Sequence, residues 1–388
     1  MTNFSASKYP VVIFIGLLAF SGCAASPVKT GAPAGDFRIA VMPMENLSGT
    51  SVPLKGIEKS LKEGLRSKGF LLLDDDSMEK FMERHRVRYA GGLTEALGKD
   101  FLSETGTKAV LFVSLDQYDE AAPPKMALTA RLVSTAGMPA VLWMEGVAMA
   151  GNDAPGFLLL GMINDPWALW NKVRDEVVDS LADRLAGKNP RSVPQGALAL
   201  EKHEEEMDKY RPKDIFRGLG NRAFEGEKKS IAVLPLANDS TRRNAGDIMA
   251  LHLVRRLSEH GSFEVSEPGV VRQALLMSRT IMEGGLSIPQ ADLLREMLGV
   301  DLVMSGNVYE YDDYSGPGGN PKVNFTVRIY DTKTRQVVWS SISFNRGDDR
   351  VIFFNQGRVN TAYALASGMT RAVVERMMDE DGNAAETF

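Results

Sequence analysis

The chain has 388 residues, with 45 lysines and arginines against 50 aspartates and glutamates, giving a formal net charge of −5. This length is enough for two domains of ordinary size. Charges of both signs are well mixed, which argues against a nucleic-acid-binding protein, because such a protein requires a basic face. The single cysteine excludes a disulfide bond within one chain, so packing must stabilise the fold.

Residues 1–22 predict a lipoprotein signal peptide. Lys8 and the free amine supply positive charge, and the apolar run Val11–Phe20 is shorter than the roughly 20 residues that a spanning helix needs. Ser21-Gly22-Cys23 follows and resembles a lipobox, with a phenylalanine where an aliphatic residue is usual. We therefore predict lipid attachment at Cys23. Two alternatives stay open, namely an ordinary secretory signal cut near Ala24–Ser26 and an uncleaved anchor.

The residues after Cys23 indicate which membrane holds the predicted lipid anchor. Residues 23–36 are rich in Ala, Ser, Pro and Gly, which is typical of a flexible tether. Two acyl chains of the palmitate type, or more, give stable anchoring, since each buried CH₂ contributes about 0.8 kcal/mol. Neither Ala24 nor Ala25 is the aspartate that commonly signals retention in the inner membrane. The predicted location is therefore the periplasmic face of the outer membrane.

The rest of the chain contains an internal repeat. Ile39–Asn46 matches Ile231–Asn238 without a gap, and the same offset carries Gly69 onto Gly261. Further pairs follow in the same order: Tyr118 with Tyr311, Arg131 with Arg328, Trp143 with Trp339, and Asp183-Arg-Leu185 with Glu375-Arg-Met377. We predict two tandem units, 37–187 and 230–379, joined by a charged, proline-containing linker, 188–229, and followed by a disordered tail, 380–388.

The sequence of each unit predicts the same α/β domain. Its elements follow in the order strand, helix, strand, one or two helices, three strands, helix. The first strand ends at Pro43 or Pro235, because proline cannot donate to a sheet ladder. An amphipathic helix follows and ends near Gly69 or Gly261. Later strands alternate, most clearly at Val323–Ile329. The order implies a mixed sheet covered by helices.

Four histidines, at positions 85, 203, 252 and 260, lack the spacing of metal ligands, so no metal site is predicted. Asp74–Asp76 is interpreted as a helix start rather than a cation site. Asn46 and Asn238 either line a ligand groove or hold a turn, and the turn is favoured. Trp167 and Trp170 either anchor a partner or pack on the sheet, and packing is favoured.

Three segments of the second unit resemble a broad superfamily of envelope proteins: Ile231–Ser240, Gly299–Gly306 and Val327–Ser340. Its members include the curli-secretion lipoproteins, the outer-membrane activators of penicillin-binding proteins and the amino-terminal domain of the Tol-system β-propeller protein. The resemblance implies an envelope protein that docks onto other proteins or assembles into rings, with no catalysis by this domain and no cofactor.

One feature departs from the curli-secretion members, which carry long hairpins that build a barrel. Here the connections 116–125 and 312–322 are short, so a pore built by this chain alone is not favoured. We predict a non-enzymatic scaffold or activator that binds envelope proteins as yet unidentified. The alternative is a subunit of an oligomeric secretion assembly, with homo-oligomer formation. An enzyme is disfavoured, since no Gly-x-Ser-x-Gly elbow or Ser/His/Asp order is present.

Overall fold

The computed structural model describes residues 37–88, 90–154, 161–188, 208–218, 224, 227–279, 286–316, 319–349, 351 and 357–379. The predicted signal peptide, Cys23, the tether and the tail 380–388 lie outside the described residues. The charged stretch 201–207 of the predicted linker lies outside them as well.

The first half forms a mixed sheet with helices on it. Its elements are β1 (Arg38–Val41), β2 (Glu45–Asn46), α1 (Leu54–Ser67), β3 (Leu71–Leu72), α2 (Asp75–Arg84), α3 (Glu95–Thr105), β4 (Ala109–Asp119), β5 (Lys125–Ser134), β6 (Val141–Ala150) and α4 (Pro166–Leu185). The strand order is β3-β1-β4-β5-β6. β1 is parallel to β3 and β4, whereas β4, β5 and β6 are antiparallel neighbours. The short strand β2 pairs in parallel with β4.

The second half has the same order of elements after one extra strand. They are β7 (Asp214–Arg217), β8 (Lys229–Val233), β9 (Ala237–Asn238), α5 (Ala245–His260), β10 (Phe263–Val265), α6 (Pro268–Met277), α7 (Ile288–Leu298), β11 (Leu302–Asp312), β12 (Lys322–Asp331), β13 (Gln336–Arg346) and α8 (Ala362–Met378). The strand order is β10-β8-β11-β12-β13-β7, and β9 pairs with β11. The predicted fold class, two α/β domains with mixed sheets, is confirmed.

Strand β1 is buried on both faces from Ile39 onward, and its sequence shows why. Along β1, Ile39 faces the cluster that contains α1 and α4, whereas Ala40 faces the cluster that contains α2 and α3. Successive side chains of a strand point to opposite faces, so the apolar run Ile39–Val41 requires cover on both sides. α1 supplies that cover with a stripe of Ile57, Leu61 and Leu65.

Local sequence sets the helix ends. Ser287 and Gln290 form a capping box at the start of α7: the Ser287 hydroxyl accepts from the Gln290 backbone N–H, and the Gln290 side chain accepts from the Ser287 N–H at 2.9 Å. Gly261 ends α5 with φ of +77°, a left-handed conformation that favours glycine. The helix end at Gly261 was expected from the sequence.

The predicted linker contributes structure of its own. β7 pairs antiparallel with β13, with Phe216 opposite Ser340, and extends the second sheet by one edge strand. Tyr210, also from this segment, is buried against Gly368 of α8. The linker was predicted from its prolines and mixed charge. Such features do not indicate a strand that pairs with a distant part of the chain.

The two halves pack together, and the described residues all lie within one compact unit, Ala32–Phe388. α5 and α8 lie between the sheets: one apolar cluster joins Ala127 and Met144 of the first sheet to Phe325 of the second through these helices. α5 is accordingly buried on most of its surface, whereas α1 buries a single stripe. In the part of the chain that the structure describes, no helix is long and apolar enough to cross a membrane.

Candidate protein-binding surface

His85 and His252 make contacts within the fold. His85 lies between two carboxylates, with Nδ1 at 3.2 Å from Asp100 and Nε2 at 2.7 Å from Glu104. His252 is buried, and its ring centroid lies 4.2 Å from that of Tyr363. Burial, together with two nearby arginines, holds the pKa of His252 well below its usual value, so this ring is neutral near pH 7. The described residues contain no group of three metal-binding side chains, and His203 lies outside them.

The polar residues singled out at turns and helix starts are structural. Asp74 caps α2 by accepting from the Ser77 N–H at 2.8 Å, and this bond lowers the pKa of Asp74. Asn46 accepts from the Ser48 N–H and donates to the Thr50 carbonyl at 2.8 Å, while Asn238 makes the corresponding bonds in the second half. The turn interpretation of both asparagines is therefore confirmed.

The two tryptophans of α4 differ. Trp170 is buried and donates from Nε1 to the Ser60 hydroxyl at 3.0 Å. Trp167 is 45% exposed and lies over Gly56 of α1. Burial against the sheet, the favoured interpretation, holds for Trp170, which belongs to the apolar cluster that contains Ile39 and Leu111 of the sheet, and not for the exposed Trp167.

An open groove of about 700 Å³ lies at the carboxyl end of β1, between α1 and α2. Its floor is apolar, with Val41, Met78 and Met82, and its rim is charged. Two of the rim charges neutralise each other, because Lys62 and Asp75 form an ion pair of 2.6 Å. The groove combines paired charges with a shallow apolar floor, so its chemistry favours no particular ligand.

A buried polar network lies where the hairpin β5–β6 meets the second half. Asp116 accepts from the Ser114 hydroxyl at 2.7 Å and from the Thr129 hydroxyl at 2.5 Å. The Tyr363 hydroxyl of α8 lies 2.7 Å from the Thr129 oxygen. Burial raises the pKa of Asp116 to about 7, against the opposing effect of these hydrogen bonds. The network joins β4 and β5 to the closing helix of the other half.

An ion pair joins the halves beside this network. Arg131 Nε lies 3.3 Å from Glu267 Oε1, and the side chains are 4% and 0% exposed. Glu267 also accepts from the Gly269 N–H at the start of α6 and from the Leu93 N–H. Burial raises the pKa of Glu267, and Arg131 opposes that rise. We name the surface formed by Asp116, Thr129, Arg131 and Gly146 the covered face.

The equivalent surface of the second sheet is exposed except at Thr326. The register of the two halves places Tyr309, Thr326, Arg328 and Ile342 where the first sheet has Asp116, Thr129, Arg131 and Gly146. Thr129 is paired with Gly146 across the first sheet, and Thr326 with Ile342 across the second. We name these four second-sheet residues, together with Phe216 of β7, the open face.

The open face is rich in exposed apolar surface. Phe216 is 54% exposed, Ile342 45% and Tyr309 43%. Phe216 is diagonal to Ile342 across the β13–β7 pair, within reach of contact. The Thr326 hydroxyl is buried and has no hydrogen-bond partner among the described residues, whereas its counterpart Thr129 is bonded on two sides. Clustered apolar and aromatic side chains of this kind mark protein-interaction sites.

The sequence predicted binding to other proteins, and it did not single out the open face. The junction between the units is filled by α5 and α8. A signal was present in β13, where Ile342 and Phe344 are apolar on the face opposite the buried Trp339. Only the pairing of strands shows that Phe216 joins them.

No family model and no curated protein sequence matches the chain. Among solved structures, the chain is similar to PelC from a dodecamer of Paraburkholderia phytofirmans, with 16% identity and a TM-score of 0.29 over 42% of this chain and 94% of that one. It is similar to lipoprotein GNA1162 from Neisseria meningitidis, with 20% identity and a TM-score of 0.27 over 38% and 99%. It is also similar to the LpoB C-terminal domain from Salmonella enterica, with 14% identity and a TM-score of 0.23 over 31% and 84%.

Proposed function

We propose that the protein is a lipid-anchored envelope protein, held at the periplasmic face of the outer membrane through Cys23, that acts without catalysis as a scaffold or activator by binding other proteins. The observation that carries the proposal is the open face. A sheet surface with Phe216, Tyr309 and Ile342 exposed costs solvation free energy until a partner covers it, at roughly 25 cal/mol for each Å² of apolar surface.

The position of this surface supports a binding role. It is formed by the middle and edge strands of a sheet whose other face packs on α5 and α8, so its side chains are held by a rigid scaffold. Arg328 adds an exposed cation beside the apolar residues. An apolar centre with a polar margin is the usual composition of a protein interface.

The test compares binding by variants of the full-length protein in the envelope of its own host. After reversible crosslinking, the wild type and Leu276→Asp should recover the same partner, whereas Phe216→Asp combined with Ile342→Asp should lose most of it. Leu276 is a matched control, since it is 66% exposed on α6, outside the open face. Circular dichroism confirms that each variant is folded. Equal recovery by all three proteins would contradict the proposal.

A further inference from the structure

The first half presents an exposed surface at the end where β1 begins. Strand pairing brings its residues to one level: Leu71 lies beside Arg38, and Lys108 directly precedes Ala109, which pairs with β1. The turn between β5 and β6 closes the same end, because Ser134 pairs with Ala109. We name five residues there the amino-end surface: Arg38, Leu71, Lys108, Met138 and Leu142.

Three large apolar side chains of the amino-end surface are exposed. Leu71 is 53% exposed, Met138 60% and Leu142 39%. Met138 lies on the turn between β5 and β6, which is tied to β4 because the Thr135 N–H donates to the Lys108 carbonyl at 3.1 Å. Four strand spacings separate β3 from β6, so the surface is roughly 20 Å across. Exposed apolar side chains grouped in this way are typical of a surface that contacts a membrane or another molecule.

The charge of the amino-end surface is positive. Arg38 and Lys108 are exposed, and neither forms an ion pair with another residue that the structure describes. Arg184, in the last turn of α4, adds a third cation, with its guanidinium 3.5 Å from the Leu142 carbonyl. Two carboxylates of α4 on this side are already neutralised in ion pairs: Asp179 with Lys68 at 2.6 Å, and Asp183 with Lys188 at 2.8 Å.

The second half has a different chemistry at the same end. The register of the two halves gives three equivalent pairs: Arg38 with Ser230, Leu71 with Glu264, and Lys108 with Asp301. Asp301 is bonded within the fold, where it accepts from the Ser230 hydroxyl at 2.9 Å. Two cations and an apolar side chain in the first half are thus replaced by a serine and two carboxylates. The apolar and basic combination belongs to the half that directly follows Cys23 and the predicted tether.

With acyl chains at Cys23, as proposed above, the chain keeps this surface close to a membrane. Residues 23–36 span at most roughly 50 Å even when fully extended, and β1 begins at Arg38. A short connection of this kind gives the surface a high effective concentration at the bilayer. Anionic headgroups attract lysine and arginine, and exposed apolar side chains enter the boundary between headgroups and acyl chains.

We infer that the amino-end surface binds the phospholipid surface of the membrane that holds Cys23. Leu71, Met138 and Leu142 enter the headgroup region, and the cations contact anionic headgroups. The inference rests on the proposed function and adds a second contact with the membrane. The acyl chains hold the protein at the bilayer, whereas this contact sets its orientation and thereby the direction in which the open face is presented to partners.

Fluorescence quenching in vesicles tests the inference on the mature, lipidated chain. Because acylation occupies the thiol of Cys23, an introduced cysteine is the one thiol that an NBD dye can label. Leu71→Cys and Met138→Cys are compared with Glu264→Cys, the exposed position that is equivalent to Leu71. The vesicles contain phosphatidylethanolamine, phosphatidylglycerol and a lipid with a nitroxide near its headgroup. We expect quenching at least about threefold stronger at positions 71 and 138 than at position 264.

A charge reversal tests the part played by the cations. In the Met138→Cys chain, Arg38→Glu combined with Lys108→Glu should lower the ratio of bound to detached amino-end surfaces by at least about tenfold. Lys55→Glu combined with Lys59→Glu is the matched control, since it makes the same change in net charge on exposed positions of α1 outside this surface. Circular dichroism checks that every variant is folded.

The failure of the inference differs from the failure of the proposed function. Chains that float with the vesicles but are quenched equally at 71, 138 and 264 would overturn the inference and leave the proposed anchor intact. An equal loss of quenching in the two charge-reversed chains would overturn the assignment of the cations. A wild-type chain that takes up the dye at Cys23 and does not float with vesicles would contradict the proposed anchor, and the inference with it.

Discussion

The guanidinium of Arg131 and the carboxylate of Glu267 lie 3.3 Å apart at Nε and Oε1, buried where the first sheet meets the second half. The equivalent arginine of the second sheet, Arg328, is exposed. The same residue type at the same place in two similar sheets therefore has two environments, and the difference is whether a helical layer lies on top. This contrast separates the covered face from the open face.

Arg131→Met should destabilise the fold by about 3–5 kcal/mol, because it leaves Glu267 buried without its counter-charge. Combining it with Glu267→Gln should recover part of the loss, since the amide removes the stranded charge and its oxygen still accepts from the Gly269 N–H. Urea unfolding of the two single variants and the double variant measures the coupling free energy. Strictly additive losses would show that the pair does not interact.

Asp116 should impose a pH dependence on stability. Burial raises its pKa to about 7, whereas an unperturbed aspartate titrates near about 3.9. Between these values the folded protein holds a proton that the unfolded chain has lost, so the contribution of Asp116 to the free energy of unfolding decreases as pH rises. Asp116→Asn removes this contribution.

The difference in unfolding free energy, Asp116→Asn minus wild type, should therefore increase from about pH 4 to about pH 7 and level off above. Taking the difference cancels the contributions of titrating groups that do not interact with Asp116. Denaturant unfolding at a series of pH values provides the measurement. If the unfolding free energies of the wild type and Asp116→Asn change in parallel with pH, Asp116 keeps an ordinary pKa in the folded protein.

Gly146 and Ile342 occupy equivalent positions and should respond in opposite ways. A Cβ on Gly146 would collide with the Tyr363 hydroxyl, so Gly146→Ala should destabilise by about 1–3 kcal/mol through overpacking. Ile342→Ala, on the exposed counterpart, should change stability by no more than about 0.5 kcal/mol. Thermal unfolding of both variants checks the pair. A large loss at Ile342 would mean that its side chain is packed within the isolated chain.

Cys23→Ala should move the protein from the membrane fraction to the soluble periplasmic fraction, because the proposed function places the acyl chains at that thiol. Fractionation together with the intact mass of the mature chain is the measurement, and Ala25→Gly is the control that keeps the thiol. A wild-type protein that is already soluble would favour the secretory signal, and an uncleaved N-terminus in both proteins would favour the anchor.

The order of elements could be predicted from sequence because it depends on neighbouring residues. The proline after β1, the helical spacing of Ile57, Leu61 and Leu65, and the cap at Ser287 act over one or two turns. For the same reason the roles of Asp74 and Asn46 were predictable, since each bonds backbone within four residues.

Tertiary structure decided the rest. Thr129 and Arg131 carry no local signal of burial, and they are buried because residues of the other half, more than a hundred positions away, satisfy their hydrogen bonds. β7 joins the second sheet through a pairing that composition does not report. Gly146 is covered because α5 and α8 of the other half pack against it, whereas its counterpart Ile342 is exposed. Burial depends on which surfaces come together from distant parts of the chain. Local sequence patterns specify the side chains that each surface carries, and only the tertiary structure shows which surfaces meet.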